Sequence, residues 1–381
     1  MNILNYTEEH HEFRKRLQDY FAKEVTPYAA KWETDHIIPK EAWKKAGKAG
    51  FLCTSVSKEY GGIGGDFIYS AIVCEEMTKT FQTGLAMSLH SDVVVPYIDE
   101  YGSEELKKRF LPGCVSGDIV AAVAMTEPDA GSDLSSLTTT AVEDGDEIII
   151  SGSKTFISNG IHCDAVIVAA KDPAVENPYQ AMSLYVVEDG TPGFTRGRHL
   201  DKMGWHSQDT AELFFNDCRI PKANLLGEKG YGFLMLMGKL QQERLVCAMG
   251  AVYGARQVID GAVEYFKTTK DASGKPLSKY QAVQFALVEM ETDVRIAETF
   301  IQKLIADHME KADIKTETSM AKYWTTDLAN RVSGRCLEMM EDFGMVEQNP
   351  MVQAWRDFRI TSIFAGTNEI MKFIVAKLMQ L

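Results

Sequence analysis

One carboxylate in a helix-forming segment is the first candidate for chemistry. Glu243 lies within Leu240-Gln241-Gln242-Glu243-Arg244-Leu245, and the residues three, four and seven positions from it are mostly small or apolar. Such neighbours share one face of a helix, and burial among them would raise the pKa of the carboxyl towards that of a general base. The alternative is a solvated helical turn, because five of the eight residues from Lys239 to Val246 are polar.

Two further segments have the composition of cofactor-binding loops. Residues 125–133, Met-Thr-Glu-Pro-Asp-Ala-Gly-Ser-Asp, combine hydroxyls, a glycine and helix-capping side chains, which suit a polar cofactor held by backbone N–H groups. Residues 154–160, Lys-Thr-Phe-Ile-Ser-Asn-Gly, add an aromatic ring, a hydroxyl and a turn. Each segment alone is equally compatible with an ordinary loop.

The composition limits the class of protein. The chain has 381 residues, 45% hydrophobic and 25% charged, which is enough for two or three domains with substantial cores. Its net charge of −14 argues against a nucleic-acid partner, which requires clustered Lys and Arg. The seven cysteines are scattered and never spaced as Cys-x-x-Cys, so neither a disulfide framework nor a metal site is expected.

Membrane insertion is not expected either. No apolar run approaches the roughly 18 residues that span a bilayer. Residues 1–9 are acidic and polar instead of basic and then apolar. We therefore expect a cytoplasmic protein without a membrane span.

The hydrophobic periodicity changes twice along the chain. Helical spacing extends from Thr7, a candidate N-cap, to about Leu111; short β-branched runs begin near Val120, and helical spacing returns at Gly232. The clearest strands are predicted at 147–152, 165–170, 182–187 and 212–215, and the long C-terminal helices at 233–266, 279–311, 316–341 and 370–381. This order predicts an α+β, mainly α fold: an N-terminal helical domain at 1–120, a middle β domain at 121–229 and a C-terminal four-helix bundle at 230–381.

The motifs of the chain resemble those of the acyl-CoA dehydrogenase family. The middle domain of that family carries Thr-Glu-x-x-x-Gly-Ser-Asp, matched at 126–133, and an aromatic-Ile-Thr/Ser-Asn-Gly element, matched at 156–160. Further matches are Asp-Thr-Ala-Glu-Leu-Phe-Phe at 209–215, Ile-Pro at 220–221, Asn-Leu-Leu-Gly-Glu at 224–228 and Ala-Gly-Thr-Asn-Glu-Ile at 365–370. The resemblance covers essentially the whole chain in the expected order.

What the resemblance implies is a flavoenzyme with the same three domains, usually a homotetramer. Such an enzyme binds FAD, oxidises an acyl-CoA thioester at its α and β carbons, and passes the electrons to an electron-transfer flavoprotein. This chemistry requires a base for a weakly acidic α-proton, donors for the developing enolate oxygen, and a flavin face at the β-carbon.

By family position, the motif residues acquire expected roles. Thr126 would contact the pyrimidine end of the flavin, Phe156 would cover a flavin face, and Ser158 would lie near N5. The expected FAD-binding residues are Met125, Thr126, Gly131, Ser132, Phe156, Ile157, Ser158, Lys270, Gln281, Glu338, Thr367 and Glu369. The expected substrate-binding residues are Ser91, Asp92, Ser132, Arg244, Ala365 and Gly366, with the N–H of Ala365 in the oxyanion pocket.

Glu243 is the base that the resemblance implies. Many members carry a glutamate just before the C-terminal Gly-Thr, but that position is Ala365 here, which cannot accept a proton. Long-chain and isovaleryl-type members instead carry the base in a Glu-Arg-Leu step on the first bundle helix, which Glu243 matches. The alternative for Glu243 is a buried structural ion pair. Arg244 fits either a CoA contact or a solvated helix position.

Two departures concern FAD contacts from a neighbouring subunit. The family's Arg-x-x-Phe-Gly is Lys-Asp-Ala-Ser-Gly at 270–274, so Lys270 replaces a bidentate arginine by a point charge, while Gln281 keeps its place. The family's Gln-x-x-Gly-Gly-x-Gly is Glu-Met-Met-Glu-Asp-Phe-Gly at 338–344, which puts side chains at glycine positions. We expect either that FAD is bound differently across the subunit interface or that the part of the FAD site supplied by the neighbouring subunit is weakened.

Asp92 is a third departure, in the acyl-pocket segment 89–96, where a neutral residue is usual. One interpretation is a helix N-cap, because Ser and Asp often precede apolar helical runs. The other is a second carboxylate facing the acyl group. Such a base would suit an alicyclic substrate such as cyclohex-1-ene-1-carbonyl-CoA, because conjugation with the thioester makes protons further from the carbonyl group acidic. Asp92 could then replace Glu243 as the operative base.

Two other functions remain compatible with the sequence. A protein of this fold could have lost its redox activity, as the altered residues 338–342 allow, or could serve as a scaffold. The length and shape of the acyl group and the identity of the electron acceptor stay open, because neither follows from a fold-level resemblance.

Overall fold

The N-terminal part of the computed structural model, which describes residues 3–381, is helical. Its helices are α1 Glu8–Glu24, α2 Ala29–Asp35, α3 Lys40–Lys48, α4 Phe67–Thr78, α5 Val95–Tyr101 and α6 Glu104–Ser116. Thr7 caps α1 as predicted, because its hydroxyl accepts the N–H of His10 at 3.4 Å. Asp66 and Ser103 cap α4 and α6 in the same way.

A π-helical turn, Leu89–Val94, precedes α5. The N-cap of this turn is Ser88, and Asp92 lies inside it. The side chain of Asp92 accepts the hydroxyl of Ser70 at 2.6 Å instead of a first-turn N–H. The N-cap interpretation of Asp92 is therefore wrong.

The middle of the chain forms one eight-stranded sheet. Its strands are β1 Ala121–Ala124, β2 Thr140–Asp144, β3 Glu147–Ser158, β4 Ala165–Lys171, β5 Met182–Glu188, β6 Phe194–His199, β7 Thr210–Pro221 and β8 Leu225–Leu226, with the short helix α7 Pro178–Ala181 before β5. The order is β6-β7-β3-β2-β4-β5-β8, and β1 pairs with β4 in parallel. The β2–β3 hairpin turns at Gly145, whose φ of 60° is in the left-handed region that glycine tolerates.

The central strands β4 and β5 of the sheet are buried on both faces. Along β4, Ala165, Ile167 and Ala169 belong to the large core shared with the N-terminal and C-terminal helices. The alternating residues Val166 and Val168 belong to a smaller core on the opposite face. The alternation follows from the two-residue period of a strand, and it places one sheet face against the helices that carry the candidate site.

The C-terminal part is a helical bundle. Its helices are α8 Gly232–Thr268, α9 Gln281–Met309, α10 Lys315–Met339, α11 Pro350–Phe358 and α12 Asn368–Leu378. The four predicted helices are present, whereas α11, a short helix capped by Asn349, was not predicted. Within residues 3–381, no helix combines the length and the apolar character needed to cross a bilayer.

Candidate active site

A cleft of about 720 Å³ opens between the N-terminal helices, the sheet and the bundle. Its lining is mostly apolar, with a few convergent polar groups, as in a typical small-molecule site. The predicted residues that line it are Met125, Thr126, Gly131, Ser132, Phe156, Ile157, Ser158, Glu243, Arg244, Ala365 and Gly366. Segments that are far apart in the sequence therefore meet at one site.

Glu243 is buried in the wall of this cleft. The predicted apolar face is present, because Leu240, Val246, Cys247 and Gly250 line the same cleft. Burial raises the pKa of Glu243 to about 7, although a hydrogen bond from Tyr97 and the charge of Arg244 oppose the shift. A carboxyl with this pKa can take up a proton near neutral pH.

Each polar side chain around Glu243 bonds to a different element. Gln241 accepts the N–H of Ile314 at 3.0 Å, and Gln242 donates to the carbonyl oxygen of Asp92 at 2.6 Å. Tyr97 donates its hydroxyl to Glu243 at 2.7 Å. The solvated-turn interpretation is therefore wrong, since these side chains join α8 to its neighbours.

Arg244 is buried as well, with 6% of its surface exposed. Its Nη1 lies 3.4 Å from the hydroxyl of Ser319 on α10, and its Nε has no partner within residues 3–381. Burial lowers the pKa of Arg244. The solvated position of Arg244 is therefore excluded. Within the described chain Glu243 forms no ion pair, so the structure does not support a structural ion pair as the role of Glu243.

Phe156 projects into the cleft from an irregularity in β3. The pairing of β3 with β7 shifts register between Lys154 and Ile157, and Phe156 adopts a φ of 58° that non-glycine residues rarely show. Phe156 is 69% exposed, whereas its neighbour Ile157 is buried. The bulge thus aims an aromatic face into the site, at the cost of backbone strain that functional positions often carry.

Ala365 and Gly366 form a second strained segment of the lining. Their φ angles are 53° and 88°. Neither N–H bonds to another group within residues 3–381. The buried ammonium of Lys322 on α10 donates to the carbonyl oxygen of Gly366 at 2.7 Å. The segment therefore presents unpaired backbone donors to the cleft in a conformation that Lys322 supports.

Trp205 and Asp357 are site residues that sequence reasoning missed. Both line the cleft. Trp205 has a φ of 54°; its backbone N–H donates to the Asp357 carboxylate at 2.5 Å and its indole N–H to the Asp357 carbonyl at 3.0 Å. Burial raises the pKa of Asp357 to about 7. A tryptophan beside the matched segment 209–215 was the only signal in the sequence.

The comparisons with known proteins agree along the whole chain. Acyl-CoA dehydrogenase family models match it as N-terminal domain at 7–118, middle domain at 122–218 and C-terminal domain at 230–380. The chain belongs to the acyl-CoA dehydrogenase family. The predicted family and three-part fold are therefore confirmed.

Three relatives illustrate the similarity of this dehydrogenase to others. The mitochondrial long-chain specific acyl-CoA dehydrogenase of Sus scrofa is 42% identical over 373 residues, which are 98% of this chain and 86% of that protein. The short-chain specific enzyme of Mus musculus is 34% identical over 371 residues, 97% of this chain and 89% of that protein. A crystal structure of an acyl-CoA dehydrogenase from Geobacillus kaustophilus, at 47% identity, has a TM-score of 0.97 over 99% of each chain.

The dehydrogenase is an FAD-dependent oxidoreductase that acts on the CH–CH bond of acyl-CoA esters. The residues present fit FAD. The exposed ring of Phe156 offers a flat aromatic face, and the hydroxyls of Thr126, Ser132 and Ser158 line the cleft without a protein partner within residues 3–381. Such groups suit the polar edge and the ring plane of a flavin.

Asp92 and Ser91 lie outside the cleft of the dehydrogenase. Leu89, Val93 and Val94 of the π-helical turn line the cleft, whereas Ser91 accepts the N–H of Cys53 at 2.9 Å and Asp92 bonds to Ser70. Burial raises the pKa of Asp92 to about 7. The structure corrects both expectations, because neither side chain lines the cleft and both bond to residues of the N-terminal helical part.

Five other expected FAD contacts do not line the cleft. The hydroxyl of Thr367 caps α12 by accepting the N–H of Ile370 at 3.2 Å, and Glu369 is exposed beside it. Lys270, Gln281 and Glu338 are exposed on the bundle surface. Their contact with FAD requires either an extension of the cofactor beyond the cleft or a second copy of the chain, and it stays a prediction.

Proposed function

We propose that this dehydrogenase oxidises long, unbranched acyl-CoA thioesters with Glu243 as its base. The observation that carries the proposal is the placement of Glu243, a buried carboxyl in the cleft wall. Tyr97 bonds to Oε1 of Glu243, and Oε2 makes no hydrogen bond within residues 3–381. One oxygen is thus held by the protein and the other is free to accept a proton.

The residues of the chain divide the chemistry between them. The ionised Glu243 takes the α-proton on its free oxygen. The N–H of Ala365 donates to the thioester carbonyl oxygen, which stabilises the negative charge that develops there. FAD, when bound, supplies the acceptor for the hydride of the β-carbon, so loss of a proton and a hydride leaves a Cα=Cβ double bond.

The shape of the cleft supports a long apolar chain. Gly250, Ala251 and Gly254 on α8 keep one wall free of large side chains, and the flexible Met77 and Met87 line the cleft from the N-terminal part. The greater similarity to a long-chain specific relative, 42% against 34% for a short-chain specific one, points the same way.

We further propose that the enzyme is a homotetramer that reduces an electron-transfer flavoprotein. Phe285, Val288 and Ile296 are exposed on one side of α9, an apolar stripe with the spacing of a helix–helix contact. The exposed positions of Lys270 and Gln281 suit a contact with the FAD of a neighbouring subunit. Sedimentation of the wild type and of Val288→Asp tests the assembly; a tetramer that Val288→Asp leaves intact would contradict this interface.

The function is tested by anaerobic titration of the FAD-loaded protein with straight, branched, dicarboxylic and cyclic acyl-CoA esters, followed by flavin absorbance. We expect long straight-chain esters to bleach the flavin fastest. Glu243→Gln should lower the rate of bleaching by about 10³-fold or more without loss of FAD, whereas Glu264→Gln, an exposed glutamate on the same helix, should not. Faster reduction by a short or cyclic ester would overturn the substrate proposal.

A further inference from the structure

We propose that Tyr97 is a positioning residue for Glu243, holding one carboxylate oxygen so that the other faces the substrate. This inference rests on the proposed role of Glu243 as the base. Tyr97 lies on α5, directly after the π-helical turn that lines the cleft, and its side chain is fully buried. A buried phenol requires a hydrogen-bond partner, and Glu243 on α8 is that partner, at 2.7 Å.

The pair fixes which carboxylate oxygen can react. Tyr97 occupies Oε1, and Oε2 has no partner within residues 3–381. A carboxylate without this hydrogen bond would be free to rotate about its last torsion, which is broad for glutamate. Holding one oxygen therefore orients the lone pairs of the other without adding a charge.

Tyr97 also keeps its proton over the working range. Burial and the charge of Glu243 raise the pKa of Tyr97. The phenol therefore remains an O–H donor, and a donor to the ionised carboxyl favours the charged form of the base. The hydrogen bond thus opposes the burial that raises the pKa of Glu243.

Other charged groups on α8, the π-helical turn and α10 do not duplicate this contact. Arg244 and Lys239, both on α8, act on Glu243 through their charge. Asp92 of the π-helical turn bonds to Ser70, and Lys322 of α10 bonds to Gly366. Tyr97 is therefore the one side chain within residues 3–381 that donates a hydrogen bond to the base.

Tyr97→Phe tests the inference, because it removes the donor and keeps the ring. In the FAD-loaded enzyme, we expect the acidic limb of the pH profile for kcat/KM to move up by about one pH unit. At pH 9, where the base is ionised in both proteins, kcat should fall by about tenfold or less. Tyr101→Phe is the matched control, since Tyr101 lies on the same helix with its ring centroid 6.4 Å from that of Tyr97. The acidic limb of the kcat/KM profile of this control should stay at the wild-type pH.

Infrared spectroscopy gives a second readout that does not depend on turnover. The C=O band of the protonated Glu243 is identified by its loss in Glu243→Gln, and its pH midpoint should rise in Tyr97→Phe. If Tyr97→Phe changes neither the infrared pH midpoint of Glu243 nor the acidic limb of the kcat/KM profile, the role of Tyr97 is overturned and Glu243 remains the base. Full activity of Glu243→Gln would instead overturn the proposed base itself. If Tyr97→Phe does not fold, incorporation of 3-fluorotyrosine strengthens the donor and should lower the wild-type midpoint; no shift would overturn the inference.

Discussion

Glu127 and Lys154 form a buried ion pair, with 2.8 Å between Oε1 and Nζ. It joins the two segments whose composition first indicated a cofactor site, because Lys154 also donates to the carbonyl oxygen of Met125 at 3.1 Å. Glu127 in turn accepts the N–H groups of Thr138 and Thr139 at 2.7 and 3.0 Å. The ion pair, together with the hydrogen bond from the Thr155 N–H to the carbonyl oxygen of Thr126 at 3.0 Å, therefore holds Thr126 in position relative to Phe156 and Ser158.

Lys154→Met should unfold more easily and bind FAD poorly. Burial alone would raise the pKa of Glu127, but Lys154 and the threonine donors lower it to about 2, so the variant leaves a carboxylate buried without its cation. Breaking a buried pair in this way costs about 3–5 kcal/mol. Chemical denaturation and the flavin content after purification measure the two effects. Lys222→Met is the control, because it removes an exposed pair with Glu143 and should change neither; equal effects of both substitutions would contradict the prediction.

The pH dependence of stability should differ between the wild type and Glu243→Gln. The pKa of Glu243 rises from 4.5 to about 7 on folding, so the folded state binds a proton more tightly. The stability linked to this proton is fully present below pH 4.5 and is lost as the pH rises through about 7. Glutamine does not titrate. The free energy of unfolding of the variant, relative to that of the wild type, should therefore rise by about 3 kcal/mol across this window.

Urea denaturation of both proteins at pH 5 and pH 8 measures most of that gain. Asp92 and Asp357 also have raised pKa values, but they are present in both proteins and cancel in the difference. A constant difference in the free energy of unfolding at the two pH values would show that Glu243 is not buried as the structure places it.

The sequence predicted the residue types of the site better than its internal bonds. Glu243 and Phe156 were predicted because a motif or a periodic face surrounds each of them. Tyr97, by contrast, lies 146 positions from its partner Glu243, and no local pattern links the two. Pairwise contacts between distant segments depend on tertiary packing, which a single sequence does not encode in its periodicity.

The error over Asp92 has a related cause. Ser and Asp before an apolar run are typical of an N-cap, and the run does become helical. The π-helical turn at Leu89–Val94 contains one extra residue per turn, and this rotates Asp92 towards Ser70 instead of the cleft. α11 was missed because its nine residues are too few for a clear helical period.

Gly250→Leu should shift the preference of the enzyme towards shorter acyl chains. A Cβ at Gly250 would approach only Cys74 Sγ, at 4.0 Å, so the backbone accepts a side chain there. A leucine extends further into the cleft and should lower kcat/KM for long esters by about tenfold or more, with little change for short ones, because lost apolar burial is about 0.8 kcal/mol per CH₂. Gly250→Ala is the control with a smaller side chain, and it should keep the wild-type order of kcat/KM among acyl chain lengths. A uniform loss of kcat/KM for all chain lengths in Gly250→Leu would indicate misfolding instead of a narrowed cleft.

Ala365→Glu in the Glu243→Gln background should restore part of the lost activity. Ala365 occupies the position where many family members carry the base, and it lines the same cleft as Glu243. Its φ of 53° costs a non-glycine side chain free energy, but alanine already adopts this conformation, so glutamate adds little further strain. We expect at least about a tenfold gain in the rate of flavin reduction over Glu243→Gln alone, within the range that a positioned base contributes. Ala365→Gln in the same background has the same shape and no base, so a gain there as well would show that the rate does not depend on a carboxylate.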